Sequence, residues 1–230
     1  MYASTRSSQS KKKTIKTLFV TLVVLATIST PTTVSLASSI SIPQEPVSLN
    51  NLLDTYDRDS GSAFRFVLAT DSHIGSGQGN KNSALAIRDI QSTYKDSSFM
   101  IHMGDVTETG SEEEYSLFQN MTSLFTFPIV GTAGNHESRW QDPFATKFSD
   151  YLSPSNFSFD WGKWHFVVLD TTYPEQTYGT VDPSIISWLN EDLASTPKGT
   201  PIAIFSHHPI FYPATTFQDS DDALLSIIDK

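Results

Sequence analysis

Short apolar runs alternate with longer amphipathic ones along most of this chain. Residues 64–69, 99–103, 127–130 and 201–205 are compact stretches rich in Phe, Val and Ile, with the length and composition of buried strands. Helical patterns separate them. One covers about 83–94, a second opens on the capping box Ser111 to Glu114 and reaches about Leu124, and a third opens on Asp182-Pro183 and reaches Leu193. Residues 157–160 and 165–169 read as a hairpin turning at Gly162. A final apolar helical face, carrying Ala223, Leu224, Leu225, Ile227 and Ile228, occupies 220–230 and needs a partner. Strands alternating with helices predict an α/β domain built on a parallel sheet.

The polar residues gain meaning from where the apolar runs stop. Asp71-Ser72-His73, Gly104-Asp105, Gly134-Asn135-His136-Glu137 and Ser206-His207-His208 each follow a predicted strand. In open α/β sheets ligands bind just outside the carboxyl ends of the strands, so all four motifs are expected on one sheet edge. Taken singly, an Asp-x-His triplet is an ordinary solvated loop and Gly-Asp an ordinary turn. Four such motifs in order on one edge point instead to metal. Asp supplies hard anionic oxygen that can bridge two cations, neutral imidazole suits Zn and Fe, and an Asn carbonyl ligates without adding charge. Paired divalent ions about 3.5–4 Å apart clamp the attacking and leaving oxygens of a displacement at phosphorus.

These motifs, their order and their placement resemble the calcineurin-like metallophosphoesterase superfamily. Its signature runs Asp-x-His, Gly-Asp-x-x-Asp/Glu, Gly-Asn-His-Asp/Glu, a lone His and Gly-His-x-His. Asp71 and His73 match the first, Gly104, Asp105 and Glu108 the second, residues 134–137 the third and His207 the fourth, while the fifth is absent. The resemblance implies that Asp71 and His73 hold a first metal, Asp105 bridges, Asn135 and His207 hold a second, and His136 faces the leaving group. It implies two divalent ions, Mn, Fe or Zn, and attack of a metal-bound hydroxide on a phosphate mono- or diester. The implied fold is a layered α-β-β-α sandwich over 63–230, expected to lack its last strands at the carboxyl end. The two functional readings are therefore an active metal-dependent phosphoesterase and a truncated, non-catalytic remnant that binds metal weakly.

Other polar residues divide by context. His102 and His165 lie within strand patterns and read as structural histidines. His208 is expected to point away from the ligand beside it. Arg139 carries a planar fork suited to a substrate phosphate, with a solvated surface Arg as the alternative. Asp170 and Tyr173 are expected to line the pocket.

The amino terminus and the charge bound the setting. Basic residues Arg6, Lys11, Lys12, Lys13 and Lys16 precede an apolar stretch at 18–28 and a small-residue site at Ser35-Leu36-Ala37, so residues 1–37 read as a signal peptide and 38–62 as a linker. The apolar stretch is short of the roughly 20 residues a membrane span needs, which predicts a secreted or extracytoplasmic protein with no stable span after cleavage, an uncleaved anchor being the weaker alternative. Removing the leader takes away five basic residues and no acids, moving the formal charge from −10 to −15. That charge argues against non-specific nucleic-acid binding. An anionic phosphoester substrate must then be drawn in by local cations. The chain has no Cys, hence no disulfide and no thiolate ligand.

Overall fold

The computed structural model describes residues 47–48, 63–210 and 221–228. In chain order the elements are β1 (Val47–Ser48), β2 (Phe66–Ala69), α1 (Gly77–Thr93), β3 (Phe99–Met103), α2 (Glu112–Thr122), β4 (Ile129–Thr132), α3 (Asn135–Arg139), α4 (Phe148–Tyr151), β5 (Phe157–Trp161), β6 (Trp164–Leu169), α5 (Pro183–Ser195), β7 (Ile202–Ser206) and α6 (Asp221–Ile228). The signal-peptide range lies outside the described residues. β1 falls within the range read as linker and pairs in parallel with β5.

The strands form two sheets, not one. The first has the parallel order β2-β3-β4 and the second the order β1-β5-β6-β7, in which the β5–β6 hairpin is antiparallel and β6–β7 is parallel. Between them lies an aromatic core. Phe99, Ile101 and Val130 of the first sheet meet Phe157, Phe159, Trp161, Phe166 and Val168 of the second. Phe66 stacks on Phe99 at 5.0 Å, and Phe99 meets Phe166 edge-on at 5.2 Å. Because side chains alternate along a strand, Phe99 and Ile101 of β3 enter this core while Met100 and His102 face the helices. The result is the α-β-β-α layering, with α1 and α2 outside the first sheet and α5 and α6 outside the second.

Two expectations need correction. The motif carrying His207 follows β7 of the second sheet, so the four motifs occupy the matching ends of two packed sheets rather than one edge. Apolar periodicity identifies a strand but not the sheet it joins. The terminal apolar helix is also covered: Leu224 and Ile227 of α6 pack on Val181, Ile185 and Leu189 and on the outward residues Val167 and Leu169 of β6. Helix α1 begins six residues before 83, capped by Ser76, whose Oγ accepts the Gly79 N–H at 3.0 Å. Gly77 and Gly79 hide that first turn from a propensity reading, and Gly79 is required because a Cβ there would strike the His73 carbonyl.

His165 is buried on the outer face of the second sheet, between two carboxylates. Its Nδ1 lies 2.7 Å from Asp160 on the facing strand and its Nε2 2.8 Å from Asp192 of α5. Burial alone would lower its pKa, but bonds to Asp192 and Asp160 outweigh burial and raise it. A raised histidine pKa stabilises the fold fully below the unfolded value of about 6.5 and stops doing so as pH climbs through the folded value. Wild type should therefore lose unfolding free energy above pH 6.5 relative to His165→Gln, as urea titrations at stepped pH would measure.

Candidate metal centre

The loops after β2 and β3 are bonded to each other through their backbones. Asp71 N–H donates to Gly104 O at 3.0 Å, His73 N–H to Asp105 O at 3.0 Å and Ile74 N–H to Val106 O at 2.9 Å. Within this pair Asp71, His73 and Asp105 have φ of +55°, +45° and +50°, the left-handed region that L-residues seldom occupy. Such conformations cost on the order of 1–3 kcal/mol each and persist where the surroundings over-determine them, characteristically at functional sites. All three are residues read as ligands from the sequence.

The third loop is fastened to the second by Glu137. Fully buried, its carboxylate accepts the Thr107 N–H and hydroxyl, both at 2.7 Å, and the Gly134 N–H at 2.8 Å. Burial pushes its pKa up to about 7 against the pull of those three bonds. Close approach is possible because Gly104 and Gly134 lack side chains. A Cβ on Gly104 would lie 2.7 Å from His207 Nδ1, and one on Gly134 would overlap the Asp105 carboxylate and amide.

The six residues read as ligands or as the leaving-group histidine converge here. His73 Nε2 lies 3.7 Å from Asp105 Oδ2 and 3.8 Å from Asp71 Oδ1. On the other side of the same carboxylate, His207 Nε2 lies 3.5 Å from Asp105 Oδ1 and 3.3 Å from Asn135 Oδ1. His136 donates its backbone N–H to Asp105 Oδ1 at 2.9 Å, and its ring meets that of His73 at 4.4 Å. Among the described residues, His73, Asp105 and His136 each offer a ligand atom within 4.8 Å of the other two. His136 thus stands near enough to join the His73 side, a position the motif assignment did not give it.

The protonation of these rings suits a cation. His136 Nδ1 is 2.7 Å from Glu108 O and His207 Nδ1 is 2.8 Å from Met103 O; a carbonyl only accepts, so each Nδ1 carries the proton. His73 Nδ1 is likewise 3.1 Å from Glu108 Oε2. A neutral ring held this way presents Nε2 as a bare lone pair, the form in which imidazole ligates. With Nδ1 alone protonated, His207 Nε2 and Asn135 Oδ1 would both be acceptors 3.3 Å apart, an arrangement that a shared cation would reconcile. The donor set of Asp71, His73, Asp105, Asn135 and His207 therefore fits mixed oxygen and nitrogen ligation of divalent metal.

Neighbouring residues take supporting positions. Glu108, read only as a motif match, orients both His73 and His136 through different atoms, a role its spacing from Asp105 does not reveal. Arg139 ends the helix that begins at Asn135, with its guanidinium carbon 4.5 Å over the Trp140 ring. Asp170 follows β6, accepts the Thr172 N–H at 2.8 Å and has its pKa raised by burial; Tyr173 beyond it is exposed. His208 is buried away from the candidate ligands, bonded to Thr171 Oγ1 at 2.8 Å, and burial, then the neighbouring His207, lowers its pKa to about 4. His102 lies buried beneath the first loop, its pKa lowered by burial to about 3, with Nε2 2.7 Å from Ser72 Oγ.

Comparison with known proteins bears on these positions. The 3′,5′-cyclic adenosine monophosphate phosphodiesterase CpdA of Pseudomonas aeruginosa is 30% identical over 107 residues, 46% of this chain and 38% of that protein. The 3′,5′-cyclic-nucleotide phosphodiesterase alr5338 of Nostoc sp. is 22% identical over 196 residues, 80% of this chain and 67% of that one. A probable glycerophosphodiester phosphodiesterase, GpdQ of Arcobacter nitrofigilis, is 26% identical over 120 residues, 48% of this chain and 41% of that one. The chain spans between 38% and 67% of the length of these relatives. The sequence profile of the calcineurin-like phosphoesterases matches residues 64–228, a range that takes in all four motifs. By that match the chain belongs to the calcineurin-like phosphoesterase family.

Proposed function

We propose that this chain carries the metal edge of an exported phosphodiesterase that works with two divalent ions held around Asp105. One observation carries the reading: the two oxygens of a single buried carboxylate face different histidines, Oδ2 toward His73 and Oδ1 toward His207. Asp71, His73 and Asp105 would hold one ion, and Asp105, Asn135 and His207 the other. Bound divalent cations supply charge neutralisation at the phosphoryl oxygens and acidify water. The relatives' names, cyclic-nucleotide and glycerophosphodiester phosphodiesterases, favour a diester over a monoester. The exported location rests on the basic and apolar leader of residues 1–37.

The chain's own groups account for the rest. Glu108 fixes the His136 ring by accepting from Nδ1, so Nε2 can take a proton from water and return it to the departing alkoxide. Arg139 can hold a non-bridging phosphate oxygen through its fork. His136→Ala is expected to slow hydrolysis of bis(p-nitrophenyl) phosphate by about 10²–10⁴-fold, the worth of a positioned acid–base group, while metal content per chain stays at the wild-type value. A parallel loss of metal and rate would reassign His136 as a ligand, consistent with its closeness to His73 and Asp105.

A further inference from the structure

Ser72 sits between two residues read as ligands and its side chain runs the other way. Asp71 and His73 reach the metal edge, whereas Ser72 Oγ lies 2.7 Å from Nε2 of His102, a fully buried residue of β3 whose ring meets Phe118 edge-on at 5.7 Å. Ser72 is also held from above, its carbonyl accepting the Ser83 hydroxyl of α1 at 3.2 Å. The neighbouring amides of Asp71 and His73 bond across to Gly104 and Asp105. Those bonds set the height of the loop. The Ser72–His102 bond adds a side-chain tie on the core side, beneath the two left-handed residues Asp71 and His73.

His102 is costly where it stands. Among the described residues its Nδ1 has no partner, and an apolar side chain would fill a buried strand position without stranding a polar atom. A polar group kept at such a cost in a core fits a positional task better than a stabilising one. We propose that the Ser72–His102 pair is a buried strut that orients Asp71 and His73 toward the metal, making Ser72 and His102 positioning residues. The inference rests on reading Asp71 and His73 as ligands.

The test is zinc binding, followed calorimetrically with zinc chloride on the whole chain after chelator stripping, beside thermal unfolding in chelator. Ser72→Ala is expected to weaken zinc binding about tenfold or more, within the 10–100-fold range of outer-shell losses. It also strands His102 Nε2, so the unfolding temperature should fall. Adding His102→Leu removes that stranded atom and should restore the unfolding temperature, because replacing both partners by apolar groups is nearly neutral. Zinc affinity should remain low in the double variant. Affinity that recovers together with stability, or a Ser72→Ala protein binding within about twofold of wild type, would overturn the strut. If Ser72→Ala alone does not fold, the double variant decides by the same criterion. Asp71→Ala separates the two levels: unchanged zinc binding in that variant overturns the ligand assignment itself, and the strut with it.

Discussion

Asp105→Asn is expected to lower phosphodiester hydrolysis by about 10³-fold or more while the fold survives. Asn has the same shape and its carbonyl oxygen can still accept the His136 N–H that Asp105 Oδ1 accepts at 2.9 Å. What changes is the other arm. A neutral amide replaces a buried carboxylate, and its NH₂ can turn a donor toward His73 or His207 where lone pairs now converge. Both proposed ions would lose charge and one would lose a ligand. Outer-shell losses alone cost about 10–100-fold, so removing a shared ligand should exceed that, and 10³-fold corresponds to about 4 kcal/mol of transition-state stabilisation. Turnover of bis(p-nitrophenyl) phosphate by the folded variant, verified by circular dichroism, gives the answer. Activity within a factor of about ten would remove Asp105 from the centre.

Gly134→Ala should be nearly as damaging, by a different route. The backbone at Gly134 is extended, with φ −113° and ψ −177°, so any residue can adopt it and conformational strain is not the issue. The obstacle is space: the new methyl would overlap the carboxylate and amide of Asp105, and the amide belongs to a loop bonded to its neighbours on both sides. Overpacking of this kind costs about 1–3 kcal/mol in stability. A displacement of about 1 Å at a reacting site can cost 10²-fold in rate, so the rate should fall by at least that much even at a temperature where the variant is fully folded. Thermal unfolding and initial rates measured together would check both halves. Wild-type stability with wild-type activity would mean that the two loops do not approach this closely.

The local part of this structure was legible and the long-range part was not. Strand β3 occupies the expected 99–103 because it is a mostly apolar run with sharp ends, broken only by His102, and α2 and α5 begin at the capping box of Ser111–Glu114 and at Asp182-Pro183. The hairpin turns at Gly162, whose φ of +59° a side chain would resist. Helix α1 was read late because two glycines open it. The covering of α6 by Leu189 and Val181 was invisible because those residues lie more than thirty positions earlier and carry no local sign of their partner. The candidate ligands could be read because their types and order follow from metal chemistry. Their supports were missed: Ser72 and His102, or Glu108 and His73, are brought together by parallel pairing of loops, which periodicity does not encode. His165 is the intermediate case. Hairpin register alone places Asp160 opposite it, while Asp192 arrives from a helix.

The proposed role of Asp105 is to join two metal ions through one carboxylate. Electron paramagnetic resonance of the manganese-loaded chain tests it most directly, because ions sharing a carboxylate couple magnetically and isolated ions do not. A coupled two-ion spectrum is expected in wild type and should disappear in Asp105→Asn. A wild-type spectrum made up entirely of isolated manganese, at metal concentrations that saturate the protein, would contradict it.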